Sequence, residues 1–556
     1  MPDIDGILSN RKAEAAFLGS ACLLAILYRG ASLVTELFTG IPTISHVSYD
    51  GVYYVQIARN ILSGDGLGWE AMVFPVLQPI LTAALSLVTG IKNLSYLSCM
   101  VSMLSGAALL VPVYLLVKDI YGRKAAAAAV LVLIPYPHLF AISTADTTES
   151  LYTFLVFLST YLGYRALSGA PLRYTLYTGL SFGLTYLARP EGLIVFAAIL
   201  PLAAWRLMAL MPRREALKGL GLLIAGFLIF AMPYFAFLTK SYGRVVLSSK
   251  LPYESVVMKN KVLGEQITTD EVEGITPSGN IAWRERGGAG LIYGYFKQDP
   301  ARFIKIYLGN LASELPWEVR NSSHLAGYPI VYPVYIWAAA LLGFVLLIRQ
   351  PGSAWKALLL WAPFVNLFVY AVFTKGFWIY HAPYVPALVT LALGGVLFIS
   401  GQIDRRLGVA VPLLLVLVSV WAAYSMYVRF SAKPEQVKIV SYKTAIADEE
   451  LKVGTWGRAE IGTKVTYMMD WSRLVYYLGG RWVNIPSASP RDIIGYGVRN
   501  NVDYIVEEMR GDDIRMGSRF KGAPGVEFVH LYSCADPQFI VIFWKLDRGY
   551  EGRQGT

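Results

Sequence analysis

Charged residues, cysteines and histidines are all scarce in this sequence. Lys, Arg, Asp and Glu make up 16% of its 556 residues, whereas they make up roughly a quarter of an average soluble domain. The three cysteines lie far apart, which excludes a disulfide framework and a CxxC pair. The five histidines show no metal-type spacing, so the sequence argues against a zinc site.

The positive charge of the chain is dispersed. The formal net charge is +11, and a basic balance is one mark of nucleic-acid-binding proteins. Here, however, the lysines and arginines stand between apolar runs and not on one soluble face. No nucleic-acid partner is therefore expected, and membrane lipids are the first partners to consider.

Long apolar runs dominate what is present, since 55% of the residues are hydrophobic. About 20 apolar residues cross a bilayer as a helix. The first run is long and no small-residue cleavage site follows it, so no cleavable signal peptide is expected. The run 75–90 is shorter and begins with prolines, which predicts a helix on the membrane surface. About eleven spans are predicted: 15–38, 95–117, 124–143, 149–167, 173–188, 191–211, 216–238, 330–348, 355–373, 381–400 and 407–429.

The basic residues of the short loops predict the orientation. Cytoplasmic loops carry an excess of Lys and Arg. With the N-terminus in the cytoplasm, the inner loops hold Lys118, Arg123, Lys124, Arg165, Arg173, Arg206, Arg213, Arg214, Lys218, Arg349, Lys356, Arg405 and Arg406. We therefore predict a multi-pass protein of the cell (plasma) membrane whose C-terminal segment lies outside.

The predicted fold is mainly α, a polytopic transmembrane helical bundle with a C-terminal extracytoplasmic α/β domain. The transmembrane domain covers 1–429 and includes two large outer loops, 39–94 and 239–329. The soluble domain covers 430–556, with a helix over 489–501 for which Ser489 is the N-cap. Its strand-like runs are 451–454, 504–506, 526–531 and 539–544. A membrane-lying helix is expected over 295–317.

Isolated acids collect on the predicted outer face. Asp50 begins a helix-like segment, 50–62, and could be no more than its cap or a first-turn residue. Asp146 and Glu149 open a span and resemble a capping pair. A carboxylate such as Glu149 is nevertheless costly beside hydrocarbon unless it is paired or hydrated, so a functional role is the alternative.

Cationic side chains flank two further outer turns. Arg189 and Glu191 could neutralise each other, or Arg189 could offer its donor fork to a phosphate. Lys375 and His381 could hold an anion, or the turn could be an aromatic belt with a snorkelling lysine. Sugar transfer from a lipid phosphate needs both kinds of group, a carboxylate to take the acceptor proton and positive charge against the departing phosphate.

The motifs in these turns resemble those of the GT-C membrane glycosyltransferases, and most of all family 39, which is related to protein O-mannosyltransferases and aminoarabinose transferases. The features that carry the resemblance are Asp50-Gly-Val-Tyr-Tyr-Val-Gln-Ile-Ala-Arg59, the proline-led helix 74–90, Ala145-Asp146, Leu187-Ala-Arg189-Pro190-Glu191-Gly192 and Tyr380-His381-Ala-Pro-Tyr-Val-Pro386. The resemblance covers roughly residues 15–400.

The resemblance implies an inverting transfer from a polyprenyl-phosphate sugar to a hydroxyl of a lipid, polysaccharide or protein. Asp50 would be the general base, and Asp146 and Glu149 match the second acidic position. The predicted donor-phosphate ligands are Arg189, Lys375, His381 and Arg59, and the predicted substrate-binding residues are Tyr53, Glu191 and Tyr380.

Two departures from the family pattern stand out. Many relatives have a second acid directly after the first, where this chain has Gly51, and His381 stands where an arginine is common. The segment 144–151 is also similar to the second acidic motif of metal-dependent oligosaccharyltransferases. A metal therefore stays an open possibility, with Asp50, Asp146 and Glu149 as ligands of Mg²⁺ or Mn²⁺.

Three other functions are compatible with a membrane protein of this kind. One is an oligosaccharyltransferase-like transfer of a whole glycan. Another is a lipid or sugar transporter, although transporters usually show paired repeats and polar groups at mid-membrane. The third is a scaffold whose outer domain binds a partner, which would leave the outer acids to act only as caps.

Overall fold

The computed structural model describes most of the chain. It covers residues 10–39, 48–243, 245–248, 273–275, 281–283, 289–314, 334–373, 382–403, 434–469, 473–486, 489–510, 518–535 and 538–549. The predicted span 407–429 lies outside these residues, as do Lys375, Tyr380 and His381.

Helices make up the membrane part. In chain order they are α1 Arg11–Thr39, α2 Tyr49–Ser63, α3 Leu77–Thr89, α4 Leu94–Ala108, α5 Leu110–Tyr121, α6 Arg123–Leu133, α7 Pro137–Ser143, α8 Glu149–Leu167, α9 Arg173–Ala188, α10 Gly192–Leu210, α11 Arg213–Tyr242, α12 Ala289–Gln298, α13 Pro300–Glu314, α14 Val334–Arg349, α15 Ala354–Trp361, α16 Val365–Phe373 and α17 Val385–Ile403. Short 3-10 turns occupy Glu70–Met72 and Ala362–Phe364. A two-stranded ribbon pairs β1, Glu273–Ile275, with β2, Ile281–Trp283.

Several of these helices are long and apolar enough to cross a membrane, which makes this a multi-pass membrane protein. Within the described residues six meet both conditions: Arg11–Gly30, Leu94–Tyr121, Gly192–Leu210, Arg213–Tyr242, Ala354–Val372 and Ala382–Ile399. The predicted spans at 149–167 and 173–188 are helices α8 and α9 with the expected bounds. The predicted span 124–143 is divided, because α6 ends at Leu133 and α7 begins at Pro137.

Hydroxyl side chains of α8 and α9 face each other inside the bundle. The Ser159 hydroxyl donates to Ser181 at 2.8 Å and lies 3.2 Å from Thr185 Oγ1, so the hydroxyls satisfy each other. Glycines bring α9 close to α11: a Cβ on Gly179 would lie 2.9 Å from the backbone nitrogen of Phe227. Small residues at such crossings let helix backbones pack directly in a membrane. This packing fixes the end of α9, where Arg189 follows.

The C-terminal part is a five-stranded mixed sheet with helices. Its elements are α18 Pro434–Glu460, β3 Thr466–Met469, α19 Leu474–Leu478, β4 Arg481–Asn484, α20 Pro490–Arg499, β5 Tyr504–Arg510, β6 Val526–Cys534 and β7 Phe539–Leu546. The strand order is β4-β3-β5-β7-β6. β3 pairs in parallel with β4 and β5, whereas β7 pairs antiparallel with β5 and β6. The expected α/β character is confirmed.

One predicted strand is wrong: residues 451–454 lie inside helix α18. The run is short and apolar, which does not distinguish a strand from a buried helix segment. Over a longer stretch, the buried residues Ile446, Glu450, Val453 and Gly457 recur every three or four positions. That spacing is helical, and it turns one face of α18 onto α19 and the sheet.

The other expected elements differ little from the structure. The predicted helix 50–62 is α2, the proline-led segment 75–90 is α3, and the helix at 489–501 is α20. Ser489 caps α20 as predicted, because its hydroxyl accepts from the backbone nitrogen of Asp492 at 3.2 Å. The expected helix 295–317 is two helices, α12 and α13; residues 315–317 are not described.

The C-terminal part packs against the loop that carries α2. The Trp482 ring lies 5.1 Å from the ring of Tyr53 and 5.4 Å from that of Trp69. The Tyr476 hydroxyl donates to Asn93 Oδ1 at 3.2 Å, just before α4. The C-terminal sheet and the first loop therefore lie on the same side of the helical bundle.

Candidate functional site

The site begins at the N-terminus of α2. Ser48 is the N-cap residue, and its hydroxyl accepts from the backbone nitrogen of Gly51 at 2.9 Å. Asp50 lies in the first turn with an exposed side chain. Ser48 thus caps the helix, and Asp50 is the first-turn acid that a helix dipole favours. Its carboxylate is on the surface of the site and is not the N-cap.

Asp146 connects this helix start to the bundle. Its side chain is 4% exposed, and its two carboxylate oxygens accept from the Ser48 backbone nitrogen at 3.2 and 3.3 Å. The Ser95 hydroxyl donates to the same carboxylate at 3.2 Å. Burial raises the pKa of Asp146, while the hydrogen bonds from Ser48 and Ser95 act in the opposite direction. Asp146 does not cap α8, whose N-cap residue is Thr148.

Gly51 lies directly against Asp146. A Cβ built on Gly51 would lie 2.7 Å from Asp146 Oδ1, and closer still to Oδ2. Any side chain at position 51 would therefore overlap the buried carboxylate. This explains why a second acid cannot follow Asp50 here.

Glu149, Arg189 and Glu191 form a buried ion cluster. Arg189 Nη1 donates to Glu149, and Arg189 Nη2 donates to Glu191 Oε1 at 3.2 Å. Tyr370 donates its hydroxyl proton to the same Glu191 oxygen at 2.6 Å. The three charged residues are between 3% and 8% exposed, so two carboxylates flank one guanidinium at the edge of the membrane part.

The bounds of three helices bring these charges together. Glu149 is the first residue of α8, Arg189 is the C-cap of α9, and Glu191 precedes α10. The Arg189 guanidinium also lies over the Tyr152 ring, 5.9 Å from its centre. Asn366 Nδ2 donates to the Tyr152 hydroxyl at 2.8 Å. Charge neutralisation, one of the two interpretations from sequence, is therefore what the geometry shows for Arg189; phosphate binding by Arg189 stays a prediction.

Tyr54 joins the helix start to the ion cluster. It lies one turn after Asp50 and is 2% exposed. Burial raises the pKa of Tyr54 well above its ordinary value, and Asp50 and Glu149 raise it further. Arg189 and Thr148 lower it. Since all of these groups act on one hydroxyl, the first turn of α2 and the ion cluster belong to one polar region.

Two further predicted residues lie elsewhere on α2. Arg59 is nine residues beyond Asp50, about 13 Å along the helix axis at 1.5 Å per residue. It is half-buried and donates to Gln56 Oε1 at 3.1 Å, and burial lowers its pKa. Tyr53 is 2% exposed, and its ring is stacked on Phe74 with 4.0 Å between the centres. Tyr53 thus packs within the protein, and Arg59 is remote from Asp50.

The expected metal ligands do not form a metal-binding group. Among the residues that the structure describes, no three His, Cys, Asp or Glu side chains are placed to hold an ion. The Asp146 oxygens accept hydrogen bonds from Ser48, and Glu149 is bound to Arg189. Asp50, Asp146 and Glu149 therefore do not fit a metal in this arrangement, and no chemical step is assigned to one.

Sequence reasoning missed five residues of this region. Ser48 could have been found, because a serine just before the first helical residue is a capping signal. Tyr54, Tyr152, Asn366 and Tyr370 carried no such local signal. They join the site only because α2, α8 and α16 meet around Arg189.

Comparison with known proteins gives one family match and several structural matches. A family model described as dolichyl-phosphate-mannose-protein mannosyltransferase matches residues 75–237, less than a third of the chain. No curated protein sequence matches significantly.

The solved structures similar to this chain are membrane enzymes. The oligosaccharyltransferase of Archaeoglobus fulgidus, in a complex with Zn and sulfate, is 14% identical with a TM-score of 0.57, over 94% of this chain and 72% of that one. The same enzyme, AglB, in a complex with an inhibitory peptide and a dolichol-phosphate gives a TM-score of 0.55 at 14% identity, over 94% of this chain and 73% of that one. ArnT from Cupriavidus metallidurans, bound to undecaprenyl phosphate, is 13% identical with a TM-score of 0.54, over 95% of this chain and 97% of that one. These matches are to the fold.

Proposed function

The chain has the fold of the GT-C superfamily of membrane glycosyltransferases, and on this premise we propose that it transfers a sugar from a polyprenyl-phosphate donor to an acceptor hydroxyl. Asp50 takes the hydroxyl proton, and the hydroxyl oxygen bonds to the anomeric carbon. As this bond forms, the bond from the anomeric carbon to the phosphate oxygen breaks, and the lipid phosphate leaves. Attack from the face opposite the phosphate inverts the anomeric centre.

The observation that carries this proposal is the contrast between Asp50 and the acids around it. Asp146, Glu149 and Glu191 are between 3% and 8% exposed, whereas the Asp50 side chain is exposed at a helix start. A general base must reach the proton that it removes. Of these four carboxylates, Asp50 is the one that an acceptor approaching from solvent can meet.

The donor phosphate needs cationic partners close to Asp50. ArnT and AglB have been solved with undecaprenyl phosphate and with a dolichol-phosphate, which supports a lipid-phosphate ligand here. Lys375 and His381 are the proposed partners, with Tyr380 as a substrate contact. Arg189 can meet a phosphate if the phosphate replaces one of its two carboxylate partners. Arg59 is the weakest candidate, because it lies two and a half helical turns from Asp50.

We propose that the reaction takes place on the outer membrane face. The Lys and Arg bias of the short loops supports that orientation, and the C-terminal sheet lies on the same side as Asp50 through its contact with Tyr53. The division into a transmembrane domain, 1–429, and an outer domain, 430–556, is part of this proposal. The outer face is where a lipid, a polysaccharide or a protein acceptor would be met.

Transfer of a whole glycan is the second candidate, because the similar structures include an oligosaccharyltransferase tethered to an acceptor peptide with the NVT sequon. The two functions differ in their donors. A single-sugar transferase consumes a polyprenyl monophosphate carrying one sugar, and it does not need a preassembled oligosaccharide.

The test is turnover by the purified full chain with radiolabelled polyprenyl-phosphate sugars and lipid-linked oligosaccharides. Asp50→Asn should abolish transfer, and Asp65→Asn, which changes an exposed acid after the end of α2, should retain it. Parallel reactions with a chelator show whether a metal is needed. Full activity of Asp50→Asn would refute the assignment of the base, and turnover of oligosaccharides alone would favour the second candidate.

A further inference from the structure

Four aromatic rings join the C-terminal sheet to the first loop. They belong to Tyr53 on α2, Trp69 and Phe74 in the segment after it, and Trp482 on β4, and together they are the aromatic junction. Tyr53 is stacked on Phe74 at 4.0 Å, and Trp482 contacts both Tyr53 and Trp69 at 5.1 and 5.4 Å between ring centres. Trp69 also meets Tyr53 edge-on at 6.1 Å. Each of the three loop rings in the junction thus contacts another ring.

Trp482 is rigidly attached to the sheet. Its side chain is 2% exposed, and its indole nitrogen donates to the backbone oxygen of Met469 at 3.1 Å. Met469 ends β3, the strand that pairs in parallel with β4. A ring that is held by both its strand and a hydrogen bond has little freedom to move independently. The Trp482 ring therefore moves only together with the sheet.

Tyr53, the partner of Trp482 on α2, is close in sequence to the proposed base, Asp50. It follows Asp50 by three residues, which is less than one helical turn, so the two share one rigid segment of α2. A displacement of the Tyr53 ring therefore moves the backbone of Asp50. On the other side, Asp146 holds the same helix through the Ser48 backbone nitrogen.

A second contact joins the C-terminal part to the start of α4. Tyr476 donates to Asn93 Oδ1, and Asn93 is the N-cap of α4. Ser95, two residues later, donates to Asp146. The C-terminal part therefore contacts both α2 and the start of α4, which are the two elements that Asp146 joins.

Resting on the proposed function, we propose that Trp482 is a positioning residue for Asp50, so that the C-terminal sheet completes the transferase site by holding the first turn of α2. The alternative is that the junction merely stabilises the protein. The two differ in what they predict for a folded variant. Loss of positioning lowers the rate of the chemical step, whereas a purely stabilising contact leaves the rate of folded molecules unchanged.

The decisive variant is Trp482→Ala, compared with Trp544→Ala. Trp544 is also a buried tryptophan of this sheet, but it lies on β7 and contacts Phe528, not the junction. We expect Trp482→Ala to lower kcat by about 10- to 100-fold, the loss that a displacement of about 1 Å causes, with the donor KM nearly unchanged. Trp482→Phe, which keeps a ring, should recover most of the rate, and folded Trp544→Ala should keep the wild-type rate.

Amide hydrogen exchange over residues 49–63 gives a measurement that does not depend on turnover. Trp482→Ala should accelerate exchange in α2, and Trp544→Ala should not. If Trp482→Ala does not fold, Trp69→Leu removes a ring of the junction from the loop side and tests the same contact. Wild-type kcat together with wild-type exchange in a folded junction variant would overturn the proposal. Faster exchange in α2, with no turnover of any donor by the wild type, would instead refute the transferase function and leave only the mechanical contact.

Discussion

The Gly51 backbone and the Asp146 carboxylate are packed so closely that no side chain fits between them. Gly51 is in the first turn of the helix that carries Asp50, and Asp146 comes from a turn between two helices of the bundle. These two elements can approach this closely only because residue 51 is a glycine. This relationship leads to the first prediction.

Gly51→Ala should destabilise the protein although alanine is the better helix former by about 1 kcal/mol. The added methyl group overlaps the Asp146 carboxylate and pushes α2 away from its hydrogen bonds. The cost should shrink in the Asp146→Ala background, where the overlap is gone, as a double-mutant cycle of thermal unfolding would measure. Gly221→Ala is the control, since open space surrounds that helical position. If Gly51→Ala destabilised the wild type and the Asp146→Ala variant equally, the destabilisation would not come from overlap with the Asp146 carboxylate.

The geometry of the ion cluster predicts that substitutions of its residues reduce the stability of the protein by different amounts. Arg189→Met leaves the buried Glu149 and Glu191 carboxylates without their guanidinium, which should cost about 3–5 kcal/mol. Glu149→Gln leaves Arg189 paired with Glu191 and should cost less, roughly 1–3 kcal/mol. Unfolding in detergent measures both variants. A larger cost for Glu149→Gln than for Arg189→Met would mean that the pairing is organised differently.

The phosphate role of Arg189 needs a separate measurement on a folded variant. Arg189→Lys keeps the charge but loses the two-pronged donor geometry that matches a phosphate. If Arg189 binds the donor, titration with undecaprenyl phosphate should show an affinity at least about tenfold lower, which corresponds to about 1.4 kcal/mol. Lys218→Arg, at an exposed position on α11, is the control. An unchanged affinity would remove Arg189 from the phosphate site.

Glu70 predicts that stability falls as the pH rises. Burial raises the pKa of Glu70 to about 8 from 4.5, against the effects of a hydrogen bond from Asn60 and the charges of Arg481 and Arg59. The folded protein keeps this proton up to about pH 8, whereas the unfolded chain releases it near pH 4.5. The stabilisation is therefore complete below pH 4.5 and decreases through the window up to about pH 8, because unfolding releases a proton there.

The measurement for Glu70 is the unfolding temperature of wild type and Glu70→Gln between pH 5 and pH 8.5. The wild type should lose stability relative to the variant across this range, by an amount on the order of a few kcal/mol. Asp65→Asn, an exposed acid in the same loop, should follow the wild-type curve. Parallel curves for wild type and Glu70→Gln would show that Glu70 is ionised in the folded protein.

The orientation predicts which introduced cysteines react from outside the cell. Lys521→Cys and Asp65→Cys, both at exposed positions, should be labelled by an impermeant reagent, and Lys218→Cys should react only after the membrane is opened. Each variant is made without the three native cysteines. Labelling of Lys218→Cys in intact cells would show that the orientation is opposite to the predicted one.

Much of the site frame was predictable because its signals are local. The helix 50–62 shows helical spacing within its own residues, and the Ser489 cap is a pattern of four consecutive positions. The runs at 149–167 and 173–188 are long enough for an apolar segment to be assigned by length alone. The strand predicted at 451–454 was wrong because the local signal is too short there. A run of four residues is compatible with a strand or with a buried helix face.

By itself, the sequence determined that this is a multi-pass helical protein with an α/β part at its C-terminal end and acids near its helix starts, because length and periodicity depend on neighbouring residues. Only the tertiary structure decided what those acids do. It placed Asp146 against Gly51 and paired Arg189 with Glu149. It also brought Trp482 to Tyr53 across more than 400 residues of chain. Each of these contacts joins distant segments, and the physical reason they escape the sequence is that packing, not local spacing, selects the partner of a buried charge or ring.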